Sequence, residues 1–149
     1  MYVRTRRASD AKIGVCKPVA SGCEVDAEGE RIAEDAIHLW EAAGKPRTLE
    51  DVCPHRFLAP LAPPDAARLE GKHIALDALV AAVRRWTTSD GVNAKWDEIV
   101  VEGAGGLFSP IADSMLNVDL IKALQAEIGS LRTVLVTKNQ LGVQHQVIS

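Results

Sequence analysis

What the chain lacks narrows its class before any motif is read. Its cysteines, Cys16, Cys23 and Cys53, are odd in number, with neither a Cys-x-x-Cys pair nor a histidine at ligand spacing. That excludes a disulfide framework and a zinc site and leaves reduced thiols. His38, His55, His73 and His145 are scattered, and none joins a serine or cysteine nucleophile in a catalytic pattern. There is no basic excess. A formal net charge of -3 gives nucleic acid no reason to bind. The one basic cluster, Arg4, Arg6 and Arg7, lies in a polar segment, residues 1–11, that reads as a solvated tail. No apolar run approaches membrane-spanning length and no signal peptide opens the chain, so no membrane partner and a cytoplasmic location are expected. Internal repeats and low-complexity segments are absent too.

What is present suits one globular domain. The 149 residues are 47% hydrophobic and 25% charged, enough for a single packed core over residues 12–149. The chain is organised around residues 97–108, Asp-Glu-Ile-Val-Val-Glu-Gly-Ala-Gly-Gly-Leu-Phe. Ile99, Val100 and Val101 form a β-branched run too short for a helix, so Glu102 ends a buried strand. Gly103, Gly105 and Gly106 follow, with Ala104 between them. Such a turn is either a tight reversal after a core strand or a metal and phosphate site at the carboxyl edge of a parallel sheet.

A second strand, from Lys12 to Cys16, runs into Lys17 and is stopped by Pro18. Lys17 and Ser21 then sit at a strand exit. They are either an exposed lysine and a loop serine, or an ammonium and a hydroxyl facing an anionic ligand. A helix over residues 28–43 has Ile32, Ala36, Ile37, Trp40 and Ala43 on one face, with Gly44 and Pro46 stopping it. Asp35 beside that stripe is either a surface acid complementing the helix dipole or a metal ligand. Four prolines make residues 53–64 a structured loop. Short and longer helices follow over residues 65–70 and 76–86. Residues 87–94 form a polar connector, and Asn117 caps a helix carrying Leu120, Ile121, Leu124 and Ile128 inward. A third strand over residues 133–137 precedes a turn, and residues 143–149 read as the start of another helix. Strands alternating with helices indicate α/β architecture, a parallel sheet with helices on both faces.

Four stretches together resemble the dethiobiotin synthase family, whose fold is P-loop NTPase-like. They are Gly14-Val15-Cys16-Lys17-Pro18-Val19-Ala20-Ser21-Gly22, residues 57–67 with their Ala-Pro-Leu-Ala-Pro core, Val100 through Leu107, and residues 135–142. They come in the family's order and approximate spacing. The resemblance implies ring closure of 7,8-diaminononanoate with CO₂, using ATP and Mg²⁺. One amine takes up CO₂, ATP phosphorylates the carbamate, and the second amine closes the ring with loss of phosphate. By the same resemblance Lys17 is catalytic, contacting the carbamate and the transferred phosphate, and Ser21 bonds the substrate. Asp35 and Glu102 surround Mg²⁺ and, with Gly105, the nucleotide. Gly103, Ala104, Gly105 and Gly106 lie near the diamine. Leu141, Gly142, Val143 and Gln144 hold the substrate's carboxylate across a homodimer interface, with Gln144 where the family has asparagine.

One departure separates the chain from that pattern. The family opens on a strand and a Gly-x-x-x-x-x-Gly-Lys-Thr loop, and residues 1–11 contain no glycine. A chain short of the phosphate loop and of the C-terminal base-binding part is expected, with ATP binding and turnover impaired. The absent strand would lie between the strands at residues 99–101 and 134–136. The alternative reading is a non-catalytic dimerising or ligand-binding relative that has lost the nucleotide half of the site. A sibling P-loop amide ligase or partition-type ATPase fits the Lys17-to-Gly22 stretch poorly.

Overall fold

The computed structural model describes residues 2–87 and 96–136. Its elements run α1 (Tyr2–Arg7), β1 (Ile13–Cys16), β2 (Val19–Ala20), β3 (Glu24–Val25), β4 (Arg31–Ile32), α2 (Glu34–Ala42), α3 (Leu49–Val52), β5 (His55–Arg56), α4 (Pro63–Leu69), α5 (Leu76–Thr87), β6 (Glu98–Val101), β7 (Pro110–Ala112), β8 (Met115–Leu116) and α6 (Asn117–Ile128). The α/β class follows from this order. β1 and β6 pair in parallel, with Ile13 opposite Glu98 and Cys16 opposite Val101. Every residue of β1 is buried, so both faces of that strand are covered, as its unbroken apolar character requires. Gly14 permits the tightest of these contacts. A Cβ there would lie 3.0 Å from the Trp86 ring of α5 and 3.3 Å from Trp96. Around β1 the core gathers Val15, Val19, Val52, Leu79, Val83 and Trp86.

Several expectations need correction. Residues 1–11 are not simply a solvated tail. Tyr2–Arg7 is helical, Val3 is buried, and the Tyr2 hydroxyl donates to Glu98 at 2.6 Å while Arg6 donates to the same carboxylate at 3.0 Å. One apolar residue and one shared acid are enough to dock this turn. The expected helix over residues 28–43 begins only at Glu34. Asp26 accepts from the amides of Glu28 and Glu30, Gly29 adopts φ +88°, and β3 and β4 close a small hairpin instead. α4 starts earlier than expected, because Pro63 and Pro64 occupy first-turn positions where a missing amide proton costs nothing. Within the proline-rich loop, His55–Arg56 still pairs in parallel with β2.

The third strand is the largest miss. Residues 131–136 are irregular, with Val134, Leu135 and Val136 exposed, and Thr137 lies outside the described residues. β-Branched residues fit a pleated surface only where a neighbouring strand supplies a ladder. Among the described residues none lies beside this stretch, and β6 pairs on one edge alone. The expected single sheet is therefore a set of two-stranded pairs, of which β1–β6 and β2–β5 are parallel. On α6 the inward stripe is Leu120 and Leu124, while Ile128 is exposed. Most of the 87–94 connector and the segment 143–149 fall outside the described residues.

Candidate functional site

The site starts from a cation that the fold has removed from water. β1 ends at Cys16, and the next amide, of Lys17, bonds the Val52 carbonyl at 2.8 Å, which fixes the backbone at the strand exit. Lys17 is only 3% exposed. A buried ammonium persists only with compensating acceptors. Its Nζ has three: Asp35 Oδ2 at 2.7 Å, Glu102 Oε1 at 3.0 Å and the Gly103 carbonyl at 3.2 Å. Burial pulls the Lys17 pKa down, yet the hydrogen bond it donates to Asp35 and the charge of Glu102 outweigh it and hold the pKa above the ordinary lysine value. Lys17 is a fixed positive charge at neutral pH.

Both carboxylates arrive for local reasons. Asp35 stands in the first turn of α2, whose N-terminus has no side-chain cap, so an acid there also meets the helix dipole. Glu102 follows β6, and its amide bonds the Cys16 carbonyl at 2.9 Å, carrying the β1–β6 pairing one residue further. The strand pair thus delivers Lys17 and Glu102 to one edge, and α2 brings Asp35 onto them. Sharing one nitrogen, the two carboxylates lie within about 6 Å of each other, near enough to share one hydrated cation. Their side chains are 52% and 46% exposed, and among the described residues Glu102 Oε2 meets no donor. Hard oxygens open to water are the donor set that Mg²⁺ uses alongside phosphate oxygens, so these residues fit that ion. No cluster of three or more acidic, histidine or cysteine ligands occurs among the described residues. Any metal here completes its shell from water or ligand.

The glycine turn closes the site. Gly105 has φ +78°, and a Cβ on it would meet Ser109 Oγ at 2.9 Å, so the turn needs glycine there. The amides of the turn are not all free to meet a ligand, since Gly106 donates to Ser109 Oγ at 2.9 Å. Ala104 and Gly106 instead offer their carbonyls inward to Asn117. The expected cap at Asn117 is thereby corrected. Asn117 is the first residue of α6, Leu116 holds the cap position, and the Asn117 side chain serves the turn rather than the helix. Sequence reasoning missed Asn117 and Ser109 as parts of this site because nothing in their spacing marks them.

Ser21 is placed less simply than expected. Its Oγ donates to the Leu61 carbonyl at 2.6 Å, so the hydroxyl proton is committed and only lone pairs remain for a ligand. Leu141, Gly142, Val143 and Gln144 lie outside the described residues. The cysteines are free and buried: burial pushes the Cys16 thiol up to about 12 and raises the Cys53 thiol as well, away from the thiolate form. No helix among the described residues is long and apolar enough to cross a membrane.

Comparison with known proteins bears on this geometry. The family described as AAA domain matches residues 3–149. The chain is 45% identical over 151 residues to the ATP-dependent dethiobiotin synthetase BioD of Rhodopirellula baltica, covering 99% of this chain and 57% of that protein. It is 36% identical to the protein of the same name from Caulobacter vibrioides, covering 96% and 60%, and 40% identical to that of Phenylobacterium zucineum, covering 82% and 50%. The chain thus spans between half and three fifths of the length of these relatives.

Proposed function

The chain belongs to the dethiobiotin synthetase family, and from that premise we propose that it carries the carbamate-binding part of an ATP-dependent cyclo-ligase acting on 7,8-diaminononanoate and CO₂. The observation that supports this reading is the buried Lys17 ammonium, held by Asp35 and Glu102 beside a glycine turn. Uptake of CO₂ by an amine releases a proton and creates a carbamate anion. Phosphorylation by ATP makes its oxygen a leaving group, and the second amine then attacks the carbonyl carbon and expels phosphate. Negative charge gathers at the carbamate and the transferred phosphoryl group, and a preorganised, desolvated ammonium stabilises it there.

Lys17 does this without a proton to give. Its pKa stands above the ordinary value, so it acts as a charge and a hydrogen-bond donor, not as an acid in the neutral range. Asp35 and Glu102 hold the ammonium and would hold Mg²⁺, which, when bound, neutralises nucleotide phosphates. Ser21 Oγ and the exposed amides of the turn offer further polar contacts to the diamine. A second copy of the chain is proposed to complete the pocket through Leu141, Gly142, Val143 and Gln144, in a two-fold dimer.

Calorimetric titration with 7,8-diaminononanoate in bicarbonate-equilibrated buffer tests the reading. Binding that depends on bicarbonate is expected, and Lys17→Met should weaken it by about a hundredfold, the scale of a desolvated charge-assisted contact. Equal affinity in both proteins, or none in either, would overturn it. Sedimentation at micromolar concentration should show a dimer. A monomer with intact diamine affinity would remove the shared pocket.

A further inference from the structure

Asn117 is 6% exposed, and its carboxamide touches three carbonyls at once. Its Nδ2 donates to Ala104 O at 2.8 Å, Gly106 O at 2.9 Å and Ser109 O at 3.0 Å. One amide nitrogen carries two protons, so three acceptors share them. Three carbonyl dipoles pointing at one centre repel each other, and the donor at that centre offsets the repulsion. Gly106 O also accepts from the Ser109 amide and Ser109 O from the Asn117 amide, so among the described residues Ala104 O alone has the side chain as its one donor. The other end of the side chain is equally constrained. Oδ1 is buried with no hydrogen-bond partner among the described residues, and a Cβ on Gly103 would lie 2.4 Å from it.

We propose that Asn117 is the positioning residue of the glycine turn, gathering the carbonyls of Ala104, Gly106 and Ser109 so that the Gly103 carbonyl stays on Lys17 and the amides of Gly105 and Leu107 face outward. The last step follows from peptide geometry. In a trans peptide the C=O of one residue and the N–H of the next point in opposite directions, and no cis bond occurs among the described residues. Holding the Ala104 carbonyl inward turns the Gly105 amide out, and holding the Gly106 carbonyl inward does the same for Leu107. Among the described residues neither amide meets an acceptor. Gly103 must be glycine for the same reason, because Oδ1 occupies the place a side chain would take. The catalytic relevance of this role rests on the Lys17 site being the reactive one; the geometry itself does not.

The test is amide exchange by NMR on the full ¹⁵N-labelled chain, with ligand affinity measured separately. The probes are the amides of Gly106, Ser109 and Val118, each hydrogen-bonded within the turn, against that of Glu102, which reports the β1–β6 pair. Asn117→Leu fills nearly the same space without a donor. Exchange at the three turn amides should rise about tenfold or more while Glu102 is unchanged, as loss of buried hydrogen bonds requires. The Lys17 Nζ resonance should move with them. A side chain that merely fills space would leave all of these signals in place, and that result overturns the proposal. Should Asn117→Leu not fold, Gly103→Ala reads the same contact from the other side. It should loosen the turn in the native background and do so less in Asn117→Ala, where room exists; equal effects in both backgrounds also overturn it. A loosened turn with unchanged bicarbonate-dependent diamine binding would support the positioning of the turn and count against the Lys17 reading alone, so the two failures are distinguishable.

Discussion

At the residue scale the Lys17 cluster is asymmetric, and stability measurements should expose that. Asp35 and Glu102 are about half exposed, so water can replace the ammonium, whereas Lys17 is almost wholly enclosed. Lys17→Met should therefore change unfolding free energy by no more than about 1 kcal/mol, the range for exposed ion pairs. Asp35→Asn combined with Glu102→Gln strands a buried cation and should cost roughly 3 kcal/mol. Urea titration of both variants checks this, and a larger loss from Lys17→Met would show that the carboxylates need their partner more than their exposure implies. The pH dependence has a definite sign. Because the folded pKa of Lys17 is raised, its contribution is fully present below the ordinary lysine value of 10.5 and disappears as pH rises through the folded value. Between pH 6 and 9 stability should not respond to this group. The sequence made the three residues legible as candidates, each with a bland alternative. It could not show that one ammonium bridges both acids, since that depends on α2 being folded back onto the strand edge.

At the scale of elements, α1 hangs on one acid. The Tyr2 hydroxyl bond, with Arg6 beside it, holds the Glu98 carboxyl below the usual glutamate range. A depressed folded pKa gives stability that is present above the unfolded value of 4.5 and lost as pH falls through the folded one. Glu98→Gln should therefore lower stability by about 1 kcal/mol at pH 7 and by less at pH 3, because a hydrogen bond to a charged group is exchanged for a neutral one. Thermal melts at the two pH values distinguish this from a plain packing defect, which would be the same at both. Within β1, Gly14→Ala would press a methyl group against the Trp86 ring of α5, 3.0 Å away, and should cost about 1–3 kcal/mol by overpacking. An unchanged melting temperature would mean that the two tryptophans yield freely. Neither feature was readable in advance: helical periodicity found the α5 face, but a six-residue helix offers too few turns for a pattern. The hairpin at β3–β4 was missed because Asp26 and Gly29 act through turn chemistry that apolar spacing does not register.

At the scale of the molecule, the alternation of strands and helices was legible and the family resemblance grouped Lys17, Asp35 and Glu102 in one site, while the sheet the sequence implied was wider than the one that forms. β1 is buried throughout, β6 is half-buried along its length, and Val134, Leu135 and Val136 stand in solvent. Their composition reads as a strand because β propensity is a statement about neighbours, and a sequence does not say whether those neighbours are in place. In the proposed function the Lys17 ammonium, fixed by Asp35 and Glu102, holds the substrate's negative charge. The most direct measurement is the Nζ resonance of Lys17 in ¹⁵N-lysine-labelled protein, followed as 7,8-diaminononanoate is added with and without ¹³C-bicarbonate. The expected result is a shift of that resonance only when bicarbonate is present, tracking the bound ¹³C-carbamate signal. A bound carbamate with the Lys17 resonance unmoved would contradict the assignment.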